Sequence, residues 1–271
     1  MKSQPRTKKF LSQNYLIDKK VLAEIISHCD LSESDIILEI GPGTGSLTKE
    51  LVKHAGHIYA IETDKQHFHN LSAELPQDKV TLFHDDFLTF DIAKLPRITK
   101  IIGNIPYHIS SPIINKLIEN YTLIPQAFLT VQQEFGKRLA AAPNSKSYGS
   151  LTCFLKYHAD THILFPIKNT AFHPKPRVTS CFLSISFREP LIKAENEDLL
   201  FSIIRQAFQQ RRRKIVNALH SFGDKKKLTE LLSQLNINPH ARAENLSLEN
   251  FIEIYQDQCP ACSLLSQPLN Q

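Results

Sequence analysis

Short apolar runs alternate with amphipathic stretches through the first half of the chain. The apolar runs, which predict strands, are 35–40, 58–61, 80–83, 100–102 and 127–131. The amphipathic stretches, which predict helices, are 19–29, 47–54, 65–75 and 112–121. Strands that alternate with helices predict an α/β fold with a Rossmann-like, doubly wound, mostly parallel sheet.

The pattern changes after this alternation. Two β-rich stretches, 151–164 and 178–187, predict an antiparallel hairpin at the edge of the sheet. After Pro190 the pattern predicts helices only, and these are 198–209, 212–220, 226–235 and 248–255. The predicted domains are an α/β domain over 1–189 with a basic arm at 1–16, a small all-helical domain over 190–258, and a flexible tail at 259–271.

The composition is that of a globular protein, with 42% hydrophobic and 22% charged residues among 271. No run reaches the ~18 apolar residues of a membrane helix, and we expect no signal peptide. Five cysteines, an odd number, favour a reducing cytoplasm. Cys259 and Cys262 have redox or zinc spacing, but no second pair accompanies them, and twelve histidines show no ligand spacing. We expect no metal.

A glycine-rich turn follows the first predicted strand. Gly41, Gly43 and Gly45 form G-x-G-x-G, which differs from the dinucleotide fingerprint because residue 46 is Ser. Glycines allow backbone to approach a ligand closely. Glu39 stands just before the turn, where a carboxylate suits an amino-bearing ligand better than a pyrophosphate.

Acidic residues follow the next two strands. Glu62 ends the second strand, where a carboxylate can accept from ribose hydroxyls. Asp86 or its neighbour Asp85 ends the third, where it can accept from an adenine amine. A cofactor with adenine, ribose, a positive end and no phosphates is predicted, and S-adenosyl-L-methionine fits this description better than NAD.

The turn Asn104-Ile105-Pro106-Tyr107 follows the fourth strand. An adenine amine is a poor nucleophile, because its lone pair is conjugated with the ring. The Asn104 amide oxygen, with the carbonyl of Ile105 or Pro106, can accept its protons, and Tyr107 can stack on the base. Phe172, among prolines, is predicted to stack on the opposite face, with apolar packing in a turn as the alternative.

Basic clusters predict RNA binding. Lysines and arginines gathered in this way bind phosphate backbones, largely through counterion release, whereas a single cluster is commonly a solvated face. Six positions in the arm region are basic (Lys2, Arg6, Lys8, Lys9, Lys19 and Lys20). The predicted RNA contacts in the helical domain are Arg211, Arg212, Arg213, Lys214, Lys225, Lys226 and Lys227.

Several motifs in order resemble one known family. They are Gln13–Leu16, Glu39–Gly45, Asp86–Phe90, Gly103–Tyr107, Pro143–Gly149, Phe172–Pro176, Phe208–Arg212 and Arg242–Asn245. This set, spread from about Lys8 to Tyr255, resembles the KsgA/RsmA family of small-subunit ribosomal RNA adenine dimethyltransferases.

The resemblance implies a class I fold dependent on S-adenosyl-L-methionine and dimethylation of two adjacent adenosines in the 3′-terminal hairpin loop of small-subunit ribosomal RNA, linked to late subunit assembly. The implied partner is that RNA within a subunit precursor, and we expect a monomer and no membrane partner. The resemblance favours Asp86 over Asp85. Tyr15 stands where Phe is usual, and His108 where Asn is common. The implied cofactor contacts are Asn14, Leu16, Gly41, Glu62, Asp86 and Asn104.

Three other functions are compatible with parts of the sequence. The first is an adenine methyltransferase of large-subunit ribosomal RNA, as in antibiotic resistance. The second is a non-catalytic assembly factor, against which the intact Asn104–Tyr107 turn argues. The third is a small-molecule methyltransferase, against which the basic clusters argue.

Overall fold

The computed structural model describes residues 14–190 and 192–258 of the chain. Most of the basic arm and the tail with Cys259 and Cys262 lie outside the described residues, so what the sequence predicts for them stays a prediction. In the described part of the chain, no helix combines the length and apolar character needed to cross a bilayer.

The chain divides into two compact units. The first contains the described residues of Met1–Lys137 together with His158–Arg188, and the second contains those of Arg138–Tyr157 together with Glu189–Gln271. The chain passes into the second unit for the last time at Glu189, beside the predicted limit at Pro190. The second unit also takes Arg138–Tyr157, which the predicted domain limits assign to the α/β domain.

Nine strands are present among the described residues. In chain order they are β1 Tyr15–Leu16, β2 Ile36–Ile40, β3 His57–Glu62, β4 Val80–His84, β5 Lys100–Asn104, β6 Gln126–Gln132, β7 Ala159–Ile167, β8 Phe172–His173 and β9 Ser180–Phe187. Seven form one sheet in the order β4-β3-β2-β5-β6-β9-β7, and β1 pairs with β8 in a separate two-stranded sheet. Strands β2 to β6 are parallel to one another, while β9 runs antiparallel between β6 and β7. The predicted α/β sheet with an antiparallel edge is confirmed.

Ten α-helices are present among the described residues. They are α1 Lys19–Cys29, α2 Thr48–Leu51, α3 Lys65–Glu74, α4 Ser110–Glu119, α5 Gln133–Leu139, α6 Ser150–His158, α7 Glu197–Gln209, α8 Ile215–Ala218, α9 Lys225–Gln234 and α10 Leu248–Gln258. The region after residue 190 contains helices and no strand in its described part, as the sequence predicts.

Helix α1 shows how local sequence sets the bounds of an element. The Asp18 side chain caps its start by accepting from the backbone N–H groups of Lys20 and Val21. The helix buries Leu22 and Ile25 and ends at Asp30, which adopts a left-handed conformation. Both ends therefore coincide with the predicted range 19–29.

The predicted strand over 151–164 is wrong in its first half. Residues 150–158 form α6, and β7 begins only at Ala159. Six of the nine residues in α6 are buried, including Cys153, Leu155 and Tyr157. A short, mostly buried apolar run does not distinguish a strand from a buried helix, so the sequence of α6 resembles that of a buried strand.

Both faces of the parallel sheet are buried. Ile37 and Ile102 belong to a core cluster shared with α1, α2 and α3. Their neighbours Leu38 and Ile101 point to the opposite face and are also fully buried. Because both faces are buried, the strands are continuously apolar. The polar residues that form the site therefore lie at the strand ends.

Candidate active site

The glycine turn connects β2 to α2 with three left-handed residues. Gly41, Gly43 and Gly45 have φ values of 63°, 57° and 75°. A Cβ at Gly43 would stand 3.0 Å from the Tyr15 ring, and one at Gly45 would stand 2.5 Å from the Leu71 side chain. The turn therefore needs glycine both for its dihedral angles and for close packing.

A cavity of about 220 Å³ opens at the carboxyl ends of β2 to β5. Parallel strands bring their carboxyl ends to one edge, so residues distant in sequence meet there. Gly45 and Phe172, two of the predicted site residues, do not line it. The predicted residues that do line it are Asn14, Leu16, Glu39, Gly41, Gly43, Glu62, Asp86, Asn104, Ile105, Pro106 and Tyr107.

Glu62 is fastened to the backbone on both sides. Its Oε2 accepts from the Gly43 N–H at 2.8 Å, and its Oε1 accepts from the Asp64 N–H at 2.7 Å. Only 4% of the residue is exposed. Each carboxylate oxygen keeps a lone pair after these bonds, so Glu62 can still accept from hydroxyl groups in the cavity.

Glu39 is the most deeply buried acid of the cavity, with 1% exposure. Its Oε2 is buried and has no hydrogen-bond partner. Burial, reinforced by the nearby Glu62 carboxylate and opposed by Thr48, raises the pKa of Glu39 to about 8. A cationic ammonium group would supply both a donor and a compensating charge, so the orphaned oxygen fits an amino-bearing ligand.

The structure separates the two neighbouring aspartates after β4. Asp86 lines the cavity and Asp85 does not. Asp86 Oδ1 accepts from the Leu88 N–H at 2.9 Å, in a turn that fixes its carboxylate. This placement favours Asp86, as the family motif implies.

The Asn104–Tyr107 turn is held from several directions. Asn104 Nδ2 donates to the Asn14 carbonyl at 2.8 Å, which leaves Oδ1 as the acceptor end of the amide. The Tyr107 hydroxyl is 2.7 Å from Ser180 Oγ on β9. Burial raises the pKa of Tyr107, so this phenol stays protonated near neutral pH. Ser180 is a residue that sequence reasoning missed.

The two backbone carbonyls of this turn differ in their partners. The Pro106 carbonyl accepts from the Ile109 N–H at 3.2 Å and from Ser110 Oγ at 3.3 Å. A carbonyl has two lone pairs, and both are therefore committed. Of the two carbonyls that the sequence offers as acceptors, the structure favours that of Ile105.

Phe172 does not occupy the predicted position over the base. Its side chain is 3% exposed, belongs to the hydrophobic core, and lies on β8, where it pairs with Leu16 of β1. Apolar packing, the alternative for this residue, is what the structure contains. The Phe172 ring faces the core in this structure, and its stacking on the base stays a prediction.

Tyr15 has a partner that the sequence did not indicate. Its hydroxyl and His67 Nε2 are 2.7 Å apart, and the two rings meet edge to face at 5.3 Å. Burial raises the pKa of Tyr15, and the nearby Glu62 and Asp64 act in the same direction. A phenol in place of the usual Phe thus gains a hydrogen bond to α3 at the cavity wall.

The predicted RNA contacts of the second unit are not equivalent. Arg211 Nε donates to Glu244 Oε2 at 2.8 Å, and its guanidinium also donates to the Lys146 carbonyl at 2.6 Å. This side chain connects segments of the second unit through two of its five N–H donors. The other six are exposed: Arg212, Arg213, Lys214, Lys225, Lys226 and Lys227.

Two of these exposed cations share a surface pocket. Arg213 and Lys225 line it together with Asn217 and His220. The periodicity predicted a helix over 212–220, but α8 begins only at Ile215, so residues 211–214 precede it.

In the described part of the chain, no cluster of three or more His, Cys, Asp or Glu could hold a metal ion.

The solved structures most similar to the chain include two methyltransferases. A dimethyladenosine transferase from Plasmodium falciparum has a TM-score of 0.75 at 26% identity, over 88% of this chain and 95% of that one. The 23S rRNA methyltransferase ErmE has a TM-score of 0.71 at 24% identity, over 90% and 98%, and supports the fold alone. The glycine turn, the acidic strand ends and these neighbours define a methyltransferase fold.

The sequence comparisons are more specific. The family model described as Ribosomal RNA adenine dimethylase matches residues 4–258. Proteins named Ribosomal RNA small subunit methyltransferase A are 40% identical over 253 residues in Fusobacterium nucleatum (91% of this chain, 96% of that protein) and 36% over 262 residues in Moorella thermoacetica (91% of each). The chain belongs to the ribosomal RNA adenine dimethylase family.

Proposed function

We propose that this protein dimethylates N6 of two adjacent adenosines in the 3′-terminal hairpin loop of small-subunit ribosomal RNA, using S-adenosyl-L-methionine. The observation that carries the proposal is one shared cavity: the Asn104–Tyr107 turn lines the same space as Glu39, Glu62 and Asp86. Relatives named for the small ribosomal subunit support the choice of RNA.

The acids of the cavity would hold three parts of the cofactor. Glu62 would accept from the ribose hydroxyls and Asp86 from the adenine amine. Glu39, with its unpartnered buried oxygen, would accept from the amino group of the methionine moiety. When bound, S-adenosyl-L-methionine supplies an electrophilic methyl group. The predicted cofactor set also includes Asn14, Leu16, Gly41 and Gly43 at the cavity, and Gly45, which supports the turn from behind.

The turn after β5 would hold the target base. Asn104 Oδ1 and the Ile105 carbonyl would accept hydrogen bonds from the N6–H groups. These bonds would draw the amine lone pair out of conjugation and towards the reacting carbon. The Tyr107 ring, oriented through Ser180, would stack on the base. Transfer then depends on proximity and orientation, and it requires no covalent intermediate on the protein.

The target loop suits this mechanism energetically. Placing a base in the cavity requires that it leave its stack, and this costs least where the base is unpaired. The exposed cations around α8 and α9 would bind phosphates of the same RNA.

A labelling experiment tests the proposal. Purified protein is incubated with methyl-labelled cofactor and with small or large ribosomal subunits that lack the modification, and the label is mapped by primer extension. We expect label on two adjacent adenosines of the small subunit. Label confined to the large subunit would support the resistance-type activity instead, and absence of label from both would leave an RNA-binding assembly factor.

The proposal extends to the setting of the reaction. The substrate is small-subunit RNA within a precursor particle in the cytoplasm, and the chain acts as a monomer. Sedimentation of the protein alone and mixed with precursor particles measures both points. A dimer, or binding to mature subunits only, would contradict them.

A further inference from the structure

The loop after β4 forms one wall of the cavity. Asp86, Phe87 and Leu88 all line it. The loop folds on itself, since the Asp86 carbonyl accepts from the N–H groups of Thr89 at 3.0 Å and Phe90 at 2.9 Å. The position of the Asp86 carboxylate therefore depends on what keeps this loop in place.

Lys116, on α4, binds that loop through its ammonium group. Its Nζ donates to the Leu88 carbonyl at 3.0 Å and to the Phe90 carbonyl at 2.5 Å. The same ammonium stands 5.5 Å from the centroid of the Phe87 ring, a cation–π distance. Three contacts from one half-buried cation thus hold three of the five residues in the 86–90 loop.

The position of α4 connects this contact to the acceptor turn. The helix starts at Ser110, after a single 3-10 turn at Tyr107–Ile109 that continues from Pro106. Lys116, on that helix, bonds to the loop that carries Asp86, so α4 connects this part of the cavity wall with the target-base turn. Charged hydrogen bonds are stronger than neutral ones, which suits a bridge of this kind.

We propose that Lys116 is a positioning residue for the adenine end of the cofactor, acting through the Asp86–Phe90 loop. The proposal rests on the proposed function, because it assumes an adenine nucleoside in the cavity. Lys116 itself does not line the cavity. It keeps the loop in the conformation that presents the Asp86 carboxylate and the Phe87 and Leu88 side chains.

Two ligands separate the adenine end of the site from the methionine end. Methylthioadenosine contains adenine and ribose without the amino acid, whereas S-adenosylhomocysteine contains all three. Loss of a wall that binds adenine weakens both ligands by the same factor. Loss of a group that binds the amino acid weakens only S-adenosylhomocysteine.

Calorimetry with the full chain measures both affinities in wild type and four variants. If the competent loop falls to about one tenth of the population, Lys116→Met weakens both ligands about tenfold. Lys116→Arg, which retains a cationic donor, loses less. Glu39→Gln weakens S-adenosylhomocysteine alone, and Lys94→Met, an exposed lysine next to the loop, changes neither.

Steady-state kinetics add a second readout. A positioning role raises the KM for the cofactor in Lys116→Met and preserves kcat at saturation, whereas general instability lowers both kcat and the folded fraction. If Lys116→Met does not fold, Lys116→Gln is measured in the same way.

Two negative results have different meanings. If Lys116→Met binds methylthioadenosine as tightly as wild type does, or loses only S-adenosylhomocysteine, the role of Lys116 is refuted and the proposed function stands. If wild type binds neither ligand, the proposed function itself fails.

Discussion

The strand-end cavity of the first unit and the cation surface of the second unit use charge in opposite ways. In the cavity, Glu39 and Glu62 are almost fully buried. A backbone hydrogen bond from Gly43 orients Glu62, and burial raises the pKa of Glu39. On the cation surface, Arg212, Lys226 and Lys227 are exposed to solvent. A buried carboxylate needs a specific partner or stays protonated, as Glu39 does at neutral pH in the free protein, whereas exposed charge costs little and has no fixed geometry.

This difference separates the methyl-transfer site from the surface that would attract RNA. A buried group acts individually, so one substitution in the cavity should have a large effect that hardly depends on salt. Exposed cations act through the combined field and through counterion release, so each contributes little and the total depends steeply on salt. Five predictions test this contrast, in order of decreasing effect.

Asn104→Ala should produce the largest loss. Removing one preorganised acceptor at the reacting amine should lower kcat by about a thousandfold, the upper size seen for such groups. Cofactor affinity should change only a few-fold. Single-turnover methylation together with calorimetry checks both, with Asn70→Ala on the exposed face of α3 as the control. Unchanged methylation in Asn104→Ala would refute the base-binding turn.

Glu62→Ala should weaken cofactor binding most among single substitutions, by about a hundredfold, since it removes a carboxylate and also releases the N–H groups of Gly43 and Asp64. Calorimetry with S-adenosylhomocysteine measures this. Glu119→Ala, an exposed acid on α4, is the matched control. Equal losses in the two variants would mean that Glu62 has no special role.

Glu39 should make cofactor binding depend on pH. With its pKa raised to about 8, it is protonated at neutral pH in the free protein, and a ligand ammonium favours the carboxylate. Binding therefore releases a proton, so affinity should rise by up to about tenfold per pH unit below 8 and level off above it. Glu39→Gln should remove this slope, as calorimetry at pH 6.5 to 8.5, roughly spanning the change, can measure.

The same pKa gives a stability prediction of defined sign. A folded-state pKa above the ordinary value of 4.5 means that the folded protein binds more protons between 4.5 and about 8. The free energy of unfolding of the ligand-free wild type should therefore fall, relative to Glu39→Gln, as pH rises through that window. A constant difference between the two proteins would show that Glu39 is not desolvated.

Single cation substitutions should have the smallest effects. Lys226→Gln or Arg212→Gln should weaken RNA binding only a few-fold at about 0.1 M salt and reduce the salt slope by roughly one. Arg211→Gln should instead lower the free energy of unfolding, since its partners are Glu244 and Lys146. Binding isotherms at several salt concentrations and thermal melts distinguish the two classes. A salt slope that is unchanged in Lys226→Gln would remove that lysine from the RNA surface.

Local signals in the sequence predicted the parallel sheet and most of the cavity. The end of each apolar run is readable from sequence, and parallel strands necessarily bring those ends to one edge. Glu39, Gly41, Glu62 and Asn104 could therefore be assigned to one site from the sequence alone, together with Asp86, which the family motif favoured over Asp85.

Side chains whose surroundings come from distant segments were not predictable in this way. Phe172 reads as an aromatic among prolines, yet pairing with Leu16 turns it into the core. Arg211 reads as one more cation in a basic run, yet its guanidinium donates to Glu244 and to the Lys146 carbonyl. Helix α6 reads as a strand because a short, mostly buried apolar run does not distinguish a strand from a helix.

By itself, the sequence determined which chemical groups the protein possesses, which strands carry them and the edge where they gather, because these depend on local periodicity and chain order. Only the tertiary structure decided which end of the Asn104 amide bonds to Asn14 and which lysine holds the loop that carries Asp86. Hydrogen bonds between segments far apart in the chain fix these choices, and no local pattern encodes such partners.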